Sequence, residues 1–288
     1  MRIPRFWAAV DGSGSGPRGE RVFRRVWGWS MASTAEALLV AQERLQSALA
    51  NRLGARVGGY YPRTPLREPI LDERIVDAEQ VLVLTRNRYG AEVLNTDRVL
   101  IADVDLPELD ESTADGWLRR MFRRSTPSAD PRAEPPSVVE RLATLADWAR
   151  TNPGLGVIVY RTASGLRVFV TGIGEPVSSA HGEQVLTELG ADPIYRELCR
   201  THGTFRARLT PKPWRLPGMK APLERWPFSS YANERRFQDW LAGYEAAAQH
   251  YAVCRRLATH GPAPSTLEEQ IIRLHDDRTR VSTPLPLA

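Results

Sequence analysis

The sequence predicts an α+β protein whose core is a mixed or antiparallel sheet with flanking helices. Short runs rich in Val, Ile, Leu and aromatic residues recur between clusters of Gly, Pro, Asn and Ser, which is the pattern of strands separated by turns. Longer segments repeat apolar residues at every third or fourth position, as a helix packed on one face does. The 288 residues suffice for one large core, with or without a helical extension.

Composition weighs against several classes of protein. No stretch approaches the roughly 20 apolar residues of a membrane helix, and the basic residues at the start precede no apolar leader run. Cys199 and Cys254 are too few for a disulfide framework or a thiolate zinc site, so we expect a cytoplasmic protein with reduced thiols. The formal charge of +5 comes almost wholly from arginine. Arginine suits phosphate-bearing partners, although a GC-rich genome produces the same excess.

The N-terminal residues predict a β-hairpin. Residues 5–10 and 21–29 are rich in β-forming side chains, and the Gly-, Ser- and Pro-rich residues 11–19 between them predict a flexible loop. Trp27 and Trp29 fall on the same face of the second strand. Such a pair is more often part of a core, but it also forms a platform for stacked bases in some nucleic-acid-binding proteins.

A helix and three short strands follow the hairpin. Ser33 and Glu36 have the spacing of a capping box, and apolar residues then repeat at helical spacing to Leu53. The three strands are predicted at residues 80–85, 91–94 and 98–105. The third is apolar almost throughout, as a central strand covered on both faces would be.

The second half predicts a hairpin with a tight tip, several helices and one further strand. The hairpin strands are residues 156–162 and 166–171. The strand at residues 205–209 alternates, which places both of its arginines on one face. The predicted helices are residues 114–122, 138–150 and 181–189, one that starts at Asp192, a long one at residues 233–259, and 267–275.

Changes in composition divide the chain into four regions. They are residues 1–124, the first half of the core; 125–137, a linker rich in Pro, Ser and charge; 138–228, the second half; and 229–288, a C-terminal helical segment.

Asp103 and Asp105 are the residues most suggestive of chemistry. Alternate positions on a strand share a face, so both carboxylates project from the same side at its end. Two adjacent carboxylates repel each other, and a divalent cation relieves that repulsion while offering a centre for phosphate. The pair predicts either a Mg²⁺ or Mn²⁺ site, completed by Asp192, or simply the solvated end of a strand. Asp192 precedes Pro193 and equally predicts a helix N-cap.

Cationic residues accompany these carboxylates. The hairpin tip places Ser164 and Gly165 between Arg161 and Arg167, where backbone N–H groups and guanidinium groups could hold an anion. Further cations follow on and after the strand at 205–209: Arg206, Arg208, Lys212 and Arg215. Such a strip suits a triphosphate or a nucleic-acid backbone, although each arginine is equally compatible with an ordinary surface charge.

The order of these parts resembles the archaeo-eukaryotic primase superfamily, which includes the primase-polymerases. Its members carry an Asp-x-Asp strand, a Ser-Gly-x-His hairpin, a later acidic residue and a segment bearing Arg and Lys. The resemblance implies a primase-like (RRM-like) catalytic half in which Asp103, Asp105 and Asp192 bind the catalytic metal. Together with the hairpin chemistry, it implies that nucleotide is bound by Arg161, Ser164, Gly165, Arg167, Arg206, Arg208 and Lys212. Arg167 stands where the superfamily has histidine, which weighs against polymerase catalysis but is compatible with nucleotide binding.

Three functional hypotheses remain open at this point. The first is metal-dependent nucleotidyl or phosphoryl transfer of the primase-polymerase type, acting on a nucleoside triphosphate and DNA or RNA. The second is a nucleotide or nucleic-acid binding module without catalysis. The third is an interaction protein that docks through the Trp-bearing hairpin and the C-terminal helix. Segments 27–30, 85–90, 205–214 and 275–276 also resemble a bacterial protein family of unassigned function, which does not distinguish among them.

Overall fold

The computed structural model describes residues 1, 3–15, 19–50, 65–106, 134–174 and 179–288 as ten strands and six α-helices. The strands are β1 (Phe6–Ser15), β2 (Arg21–Ser30), β3 (Ile70–Val76), β4 (Glu79–Arg86), β5 (Glu92–Thr96), β6 (Leu100–Asp105), β7 (Gly156–Thr162), β8 (Gly165–Thr171), β9 (Phe205–Arg208) and β10 (Cys254–His260). The helices are α1 (Thr34–Ala50), α2 (Pro136–Thr151), α3 (Ala180–Glu188), α4 (Pro193–His202), α5 (Tyr231–Ala248) and α6 (Thr266–Thr279). The predicted α+β class with antiparallel sheets is confirmed.

The first sheet is the two-stranded ribbon β1–β2, and α1 packs on one of its faces. The ribbon approaches α1 closely because Gly28 has no side chain. A Cβ at Gly28 would collide with the backbone of α1 at Ala37 and Ala41. The predicted loop at residues 11–19 is wrong over residues 11–15, which continue β1. Gly12 and Gly14 are strand residues that make room for leucine side chains of α1, and this packing overrides their preference for turns.

The second sheet holds most of the core, in the strand order β10-β7-β8-β6. The predicted β7–β8 hairpin is confirmed, and every residue of β8 is buried. Strand β6 is buried as predicted, yet it lies at the edge of the described sheet rather than in its centre. The segment that begins α4 covers this edge, since Tyr195 donates its hydroxyl hydrogen to the Ile101 carbonyl over 2.8 Å.

The third sheet has the order β3-β4-β5-β9, and β9 also lies against β6. The helices predicted near α2, α3 and α4 are present. In α4 the Asp192 carboxylate accepts hydrogen bonds from the N–H groups of Ile194 and Tyr195, so the predicted N-cap is confirmed. The predicted helix at residues 114–122 and almost all of the predicted linker lie outside the described residues.

The long helix predicted at residues 233–259 is wrong beyond Ala248. The chain leaves α5 there, and Cys254–His260 forms β10, which pairs with β7. Helical propensity is only a weak preference, and the backbone hydrogen bonds available along β7 outweigh it. Helix α6 then follows from a complete capping box of Ser265 and Glu268 and runs longer than predicted. None of the described helices is long and apolar enough to cross a membrane.

Candidate functional site

A cleft of about 770 Å³ lies where the β1–β2 ribbon faces the ends of β6 and β9. The segments around residues 65–69, 86–89, 212–214 and 224–226 complete its walls, and α4 contributes its first turn. Six of the residues predicted to be functional line it: Asp103, Asp105, Asp192, Arg206, Arg208 and Lys212. The cleft therefore gathers the Asp-x-Asp strand, the third acidic residue and the cationic strip at one site.

The side chains that line the cleft are predominantly basic. Nine are cationic: Arg25, Arg44, Arg67, Arg86, Arg88, Arg206, Arg208, Lys212 and Arg225. Five are acidic: Glu68, Asp103, Asp105, Asp192 and Glu224. Glu68 is bound by Arg206, Asp103 by Arg167, and Glu224 by Arg236, so much of the negative charge is already neutralised. Some of the cations are neutralised as well, since Arg25 pairs with Asp11, Arg86 with Glu92 and Arg206 with Glu68. Cationic side chains still outnumber acidic ones along the cleft, which favours an anionic ligand.

Asp103 forms an ion pair with Arg167, the residue directly across the sheet on β8. Arg167 Nε lies 2.8 Å from one carboxylate oxygen of Asp103, and Nη2 lies 3.5 Å from the other. The Arg167 side chain is 1% exposed, whereas that of Asp103 is 34% exposed. The negative charge of Asp103 raises the pKa of Arg167 against the opposing effect of burial, so this buried guanidinium stays charged.

Buried groups behind the cleft complete the coordination of Arg167. Its Nη1 donates to the Arg208 carbonyl over 2.9 Å and lies 3.4 Å from His275 Nε2 and 3.7 Å from Cys254 Sγ. The His275 Nδ1–H donates to Asp276 Oδ1 over 3.0 Å, which leaves Nε2 free to accept from Arg167. Burial lowers the pKa of His275 to about 4, so the ring is neutral and suited to this role.

Asp192 lies beside Asp103 because its backbone N–H donates to the Asp103 carbonyl over 2.9 Å. Its carboxylate accepts from the N–H groups of Tyr195 at 2.9 Å and Ile194 at 3.3 Å. Asp105 occupies the exposed end of β6. The three carboxylates thus line one cleft, and groups of the protein bind those of Asp103 and Asp192.

These carboxylates do not fit a divalent metal centre in the arrangement described. The guanidinium of Arg167 is in contact with Asp103, so a metal ion bound there would lie beside a fixed positive charge in a partly dehydrated site. The described residues also hold no group of three His, Cys, Asp or Glu side chains placed to bind a metal ion.

Arg206 and Arg208 have different environments, although they lie two positions apart on β9 and so share a face. Arg206 is buried and forms hydrogen bonds to Glu68 at 2.8 and 2.9 Å and to Asn95 at 2.6 Å. Its charge is therefore used inside the protein. Arg208 is half-buried, pairs with no carboxylate in the described part of the chain, and its Nε has no hydrogen-bond partner there.

Burial and the nearby charges of Arg167 and Arg215 lower the pKa of Arg208 to about 10. The guanidinium is nevertheless still charged at neutral pH, in surroundings that disfavour its charge. A phosphate group in the cleft beside Arg208 would relieve this cost by supplying a compensating negative charge.

Arg161, Ser164 and Gly165, predicted to bind substrate, are not among the described residues that line the cleft. Arg161 pairs with Glu134 at 3.2 Å and donates to the Gly165 carbonyl at 3.0 Å. The Ser164 carbonyl accepts from the N–H of Leu106. A Cβ on Gly165 would collide with the backbone of β6, so the glycine is explained by close strand packing.

Sequence reasoning missed the arginines that lie on aromatic rings in the cleft. The guanidinium of Arg67 lies 4.0 Å from the Trp27 ring centroid, and that of Arg44 lies 4.5 Å from the Trp29 ring. Two further lining residues, Tyr89 and Trp214, pack edge-on at 5.1 Å. The tryptophans were visible as a same-face pair, but nothing local in the sequence links Arg67 to a strand some 40 residues earlier.

Comparison of the chain with known protein families, curated proteins and solved structures finds no match. The resemblance to the primase superfamily therefore stays a prediction.

Proposed function

We propose that the protein binds a nucleotide or nucleic acid in the cleft, holding its phosphates with arginine and without a metal ion. The observation that carries this proposal is Arg208, a half-buried guanidinium with no carboxylate partner among the described residues. Arg44 and Arg67 also lack carboxylate partners there, and burial lowers the pKa of each. Phosphate is the ligand that best matches several guanidinium groups facing one space.

Aromatic rings next to these arginines favour a nucleotide over a simple inorganic anion. Trp27, Trp29 and Trp214 line the same cleft as Arg208. Base rings stack on such side chains regardless of sequence, while arginine holds the phosphates. The proposed ligand therefore has both a planar base and a phosphate, and we place the protein in the cytoplasm, where nucleotides are abundant and the free thiols of Cys199 and Cys254 stay reduced.

The direct test is nucleotide binding by Arg208→Gln. Calorimetric titration with a nucleoside triphosphate in the presence of a chelator should show at least about a tenfold weaker affinity in this variant, since a hydrogen bond to a charged group contributes roughly 1.5–3 kcal/mol. The control is Arg200→Gln, which removes an exposed arginine paired with Glu197 on α4. Equal affinities in the two variants, or no binding by the wild type, would contradict the proposal.

A second candidate function is nucleotidyl transfer of the primase type with Mg²⁺ or Mn²⁺. It is favoured by one observation: Asp103, Asp105 and Asp192 line the same cleft. A metal ion at Asp103 would require the ion pair between Asp103 and Arg167 to break. The test is Mn²⁺-dependent incorporation of nucleotide into a primed template, which this candidate expects in the wild type and not in Asp105→Asn. No incorporation by the wild type would leave only the binding function.

A further inference from the structure

One face of the ribbon carries alternating aromatic and arginine side chains. On β2, Arg21, Phe23, Arg25, Trp27 and Trp29 occupy every second position and therefore share a face. Gly28 on the opposite face packs against the backbone of α1, so these five side chains lie on the face turned away from that backbone, where the long side chain of Arg44 reaches Trp29 from α1. We call them the hairpin stripe.

The hairpin stripe begins inside the cleft and runs out of it along the ribbon. Arg25, Trp27 and Trp29 line the cleft, whereas Phe23 and Arg21 lie beyond it. Phe23 is 70% exposed, and the guanidinium of Arg21 lies 5.1 Å from its ring centroid. An aromatic ring this exposed contributes little to the stability of the fold. Its neighbours on the same face of β2 are the cations Arg21 and Arg25.

We propose that a single-stranded nucleic acid leaves the cleft along the hairpin stripe, with bases stacked on the aromatic rings and phosphates bound by the arginines. This inference rests on the proposed function and extends its ligand from a mononucleotide to a strand. Alternate residues of a strand are about 6.8 Å apart, a distance that an extended polynucleotide chain can follow. Stacking on aromatic side chains combined with a basic track is the usual means of binding single strands without sequence preference.

One carboxylate opposes this assignment and provides a sharp test of it. Asp11 lies directly across the ribbon from Arg25, and its carboxylate binds that guanidinium through two hydrogen bonds of 2.7 Å. Both side chains are more than half exposed. Removal of the Asp11 charge frees Arg25 for phosphate, so Asp11→Asn should strengthen the binding of a strand at low salt.

The experiment measures fluorescence anisotropy with labelled oligothymidylates in the presence of a chelator. The wild type, Phe23→Ala and Asp11→Asn are compared on a trinucleotide and on a strand of about 16 nucleotides. Phe23→Ala should weaken binding of the longer strand by about tenfold and leave the trinucleotide unaffected. Asp11→Asn should strengthen binding of the longer strand, because it frees Arg25 to contact phosphate. Val139→Ala on α2, which removes an exposed apolar side chain outside the cleft, is the control.

The outcomes separate this inference from the function on which it rests. If both oligonucleotides bind and Phe23→Ala matches Val139→Ala on the longer one, the inference is wrong and the cleft function stands. If neither oligonucleotide binds but a nucleoside triphosphate does, the hairpin stripe does not bind a nucleic-acid strand and the inference is again wrong. If no nucleotide of any length binds, the proposed function fails first. Because Phe23 is mostly exposed, circular dichroism should show an unchanged fold in its variant.

Discussion

Arg167 is fully enclosed, and its guanidinium contacts Asp103, the Arg208 carbonyl and the His275 ring. This arrangement changes what the Asp-x-Asp strand can do. A carboxylate that neutralises a buried cation contributes to the free energy of unfolding, and its charge is no longer available to a metal ion in the same way. The buried arginine at position 167 therefore has a structural consequence at Asp103, the first aspartate of the strand.

We predict that Asp103→Ala destabilises the protein. The variant leaves Arg167 buried and without its carboxylate, which costs about 3–5 kcal/mol for a buried pair and falls at the low end here because Asp103 is partly exposed. Urea unfolding gives the free energy of unfolding. The control is Asp147→Ala, which breaks an exposed ion pair with Arg150 on α2 and should cost less than about 1 kcal/mol. Similar losses in the two variants would show that the buried pair is not stabilising.

The free energy of unfolding should also depend on pH through His275. Burial lowers its folded pKa to about 4, below the 6.5 of an exposed histidine, so the unfolded chain binds a proton between these values that the folded chain does not. The stabilisation of the folded state by neutral His275 is fully present above pH 6.5 and is lost as the pH falls towards 4. His202, whose pKa burial also lowers to about 4, acts in the same direction.

For His275 alone the loss between about pH 7 and about pH 5 is roughly 2 kcal/mol. Urea unfolding of the wild type and His275→Gln at both pH values measures it, since the variant should show a smaller dependence on pH. His250→Gln, which changes an exposed histidine, should keep the dependence of the wild type. An unchanged dependence in His275→Gln would mean that this residue is not buried in its neutral form.

At the scale of elements, the ribbon depends on its contact with α1. Gly28 lies where the helix backbone approaches most closely, and Ala37 and Ala41 on the facing side of α1 are fully buried. The same contact orients the opposite face of the ribbon, with Trp27 and Trp29, towards the cleft. The position of the aromatic wall is therefore determined by small residues on the other side of β2.

We predict that Gly28→Ala destabilises the protein and weakens nucleotide binding together. The added methyl group overlaps the backbone of α1, and overpacking of this kind costs about 1–3 kcal/mol or more. Thermal unfolding and the calorimetric titration measure the two effects. Gly154→Ala is the matched control, because a Cβ at that position meets open space. If Gly28→Ala resembled this control, the ribbon and α1 would not pack as described.

Elements whose signals are local could be predicted from the sequence. The β7–β8 hairpin, α2 and the cap at Asp192 depend on turn residues, apolar spacing and a capping side chain within a few positions. Strand β10 could not be predicted, because its partner β7 lies about 95 residues earlier and local propensity favours extending α5. The edge position of β6 likewise follows from long-range pairing.

The candidate site was predictable only in part. Asp103, Asp192 and Arg208 were identified from their order along the chain, and they do line one cleft. The pairing of Asp103 with Arg167 spans 64 residues, and that of Arg206 with Glu68 spans 138. Such contacts decide which arginines in and around the cleft are neutralised, and no local pattern in the sequence predicts them. The close contact of Gly165 with β6 is likewise invisible in the local sequence.

At the scale of the whole molecule, the cleft is formed where all three sheets meet. The ribbon supplies aromatic rings, β6 of the second sheet supplies the carboxylates, and β9 of the third supplies Arg208. The fold thus brings cations from distant parts of the chain to one space, while several of the acidic side chains there are bound by arginine. This distribution of charge is the basis of the proposed phosphate site.

The most direct test of this account is calorimetric titration of the wild-type protein with a nucleoside triphosphate, once with a chelator and once with Mn²⁺. We expect binding with the chelator present, and an affinity for oligonucleotides that falls steeply between about 50 and about 200 mM salt because phosphate contacts dominate. Binding that occurs only with Mn²⁺, and is lost in Asp105→Asn, would contradict the account and identify the carboxylates as a metal site.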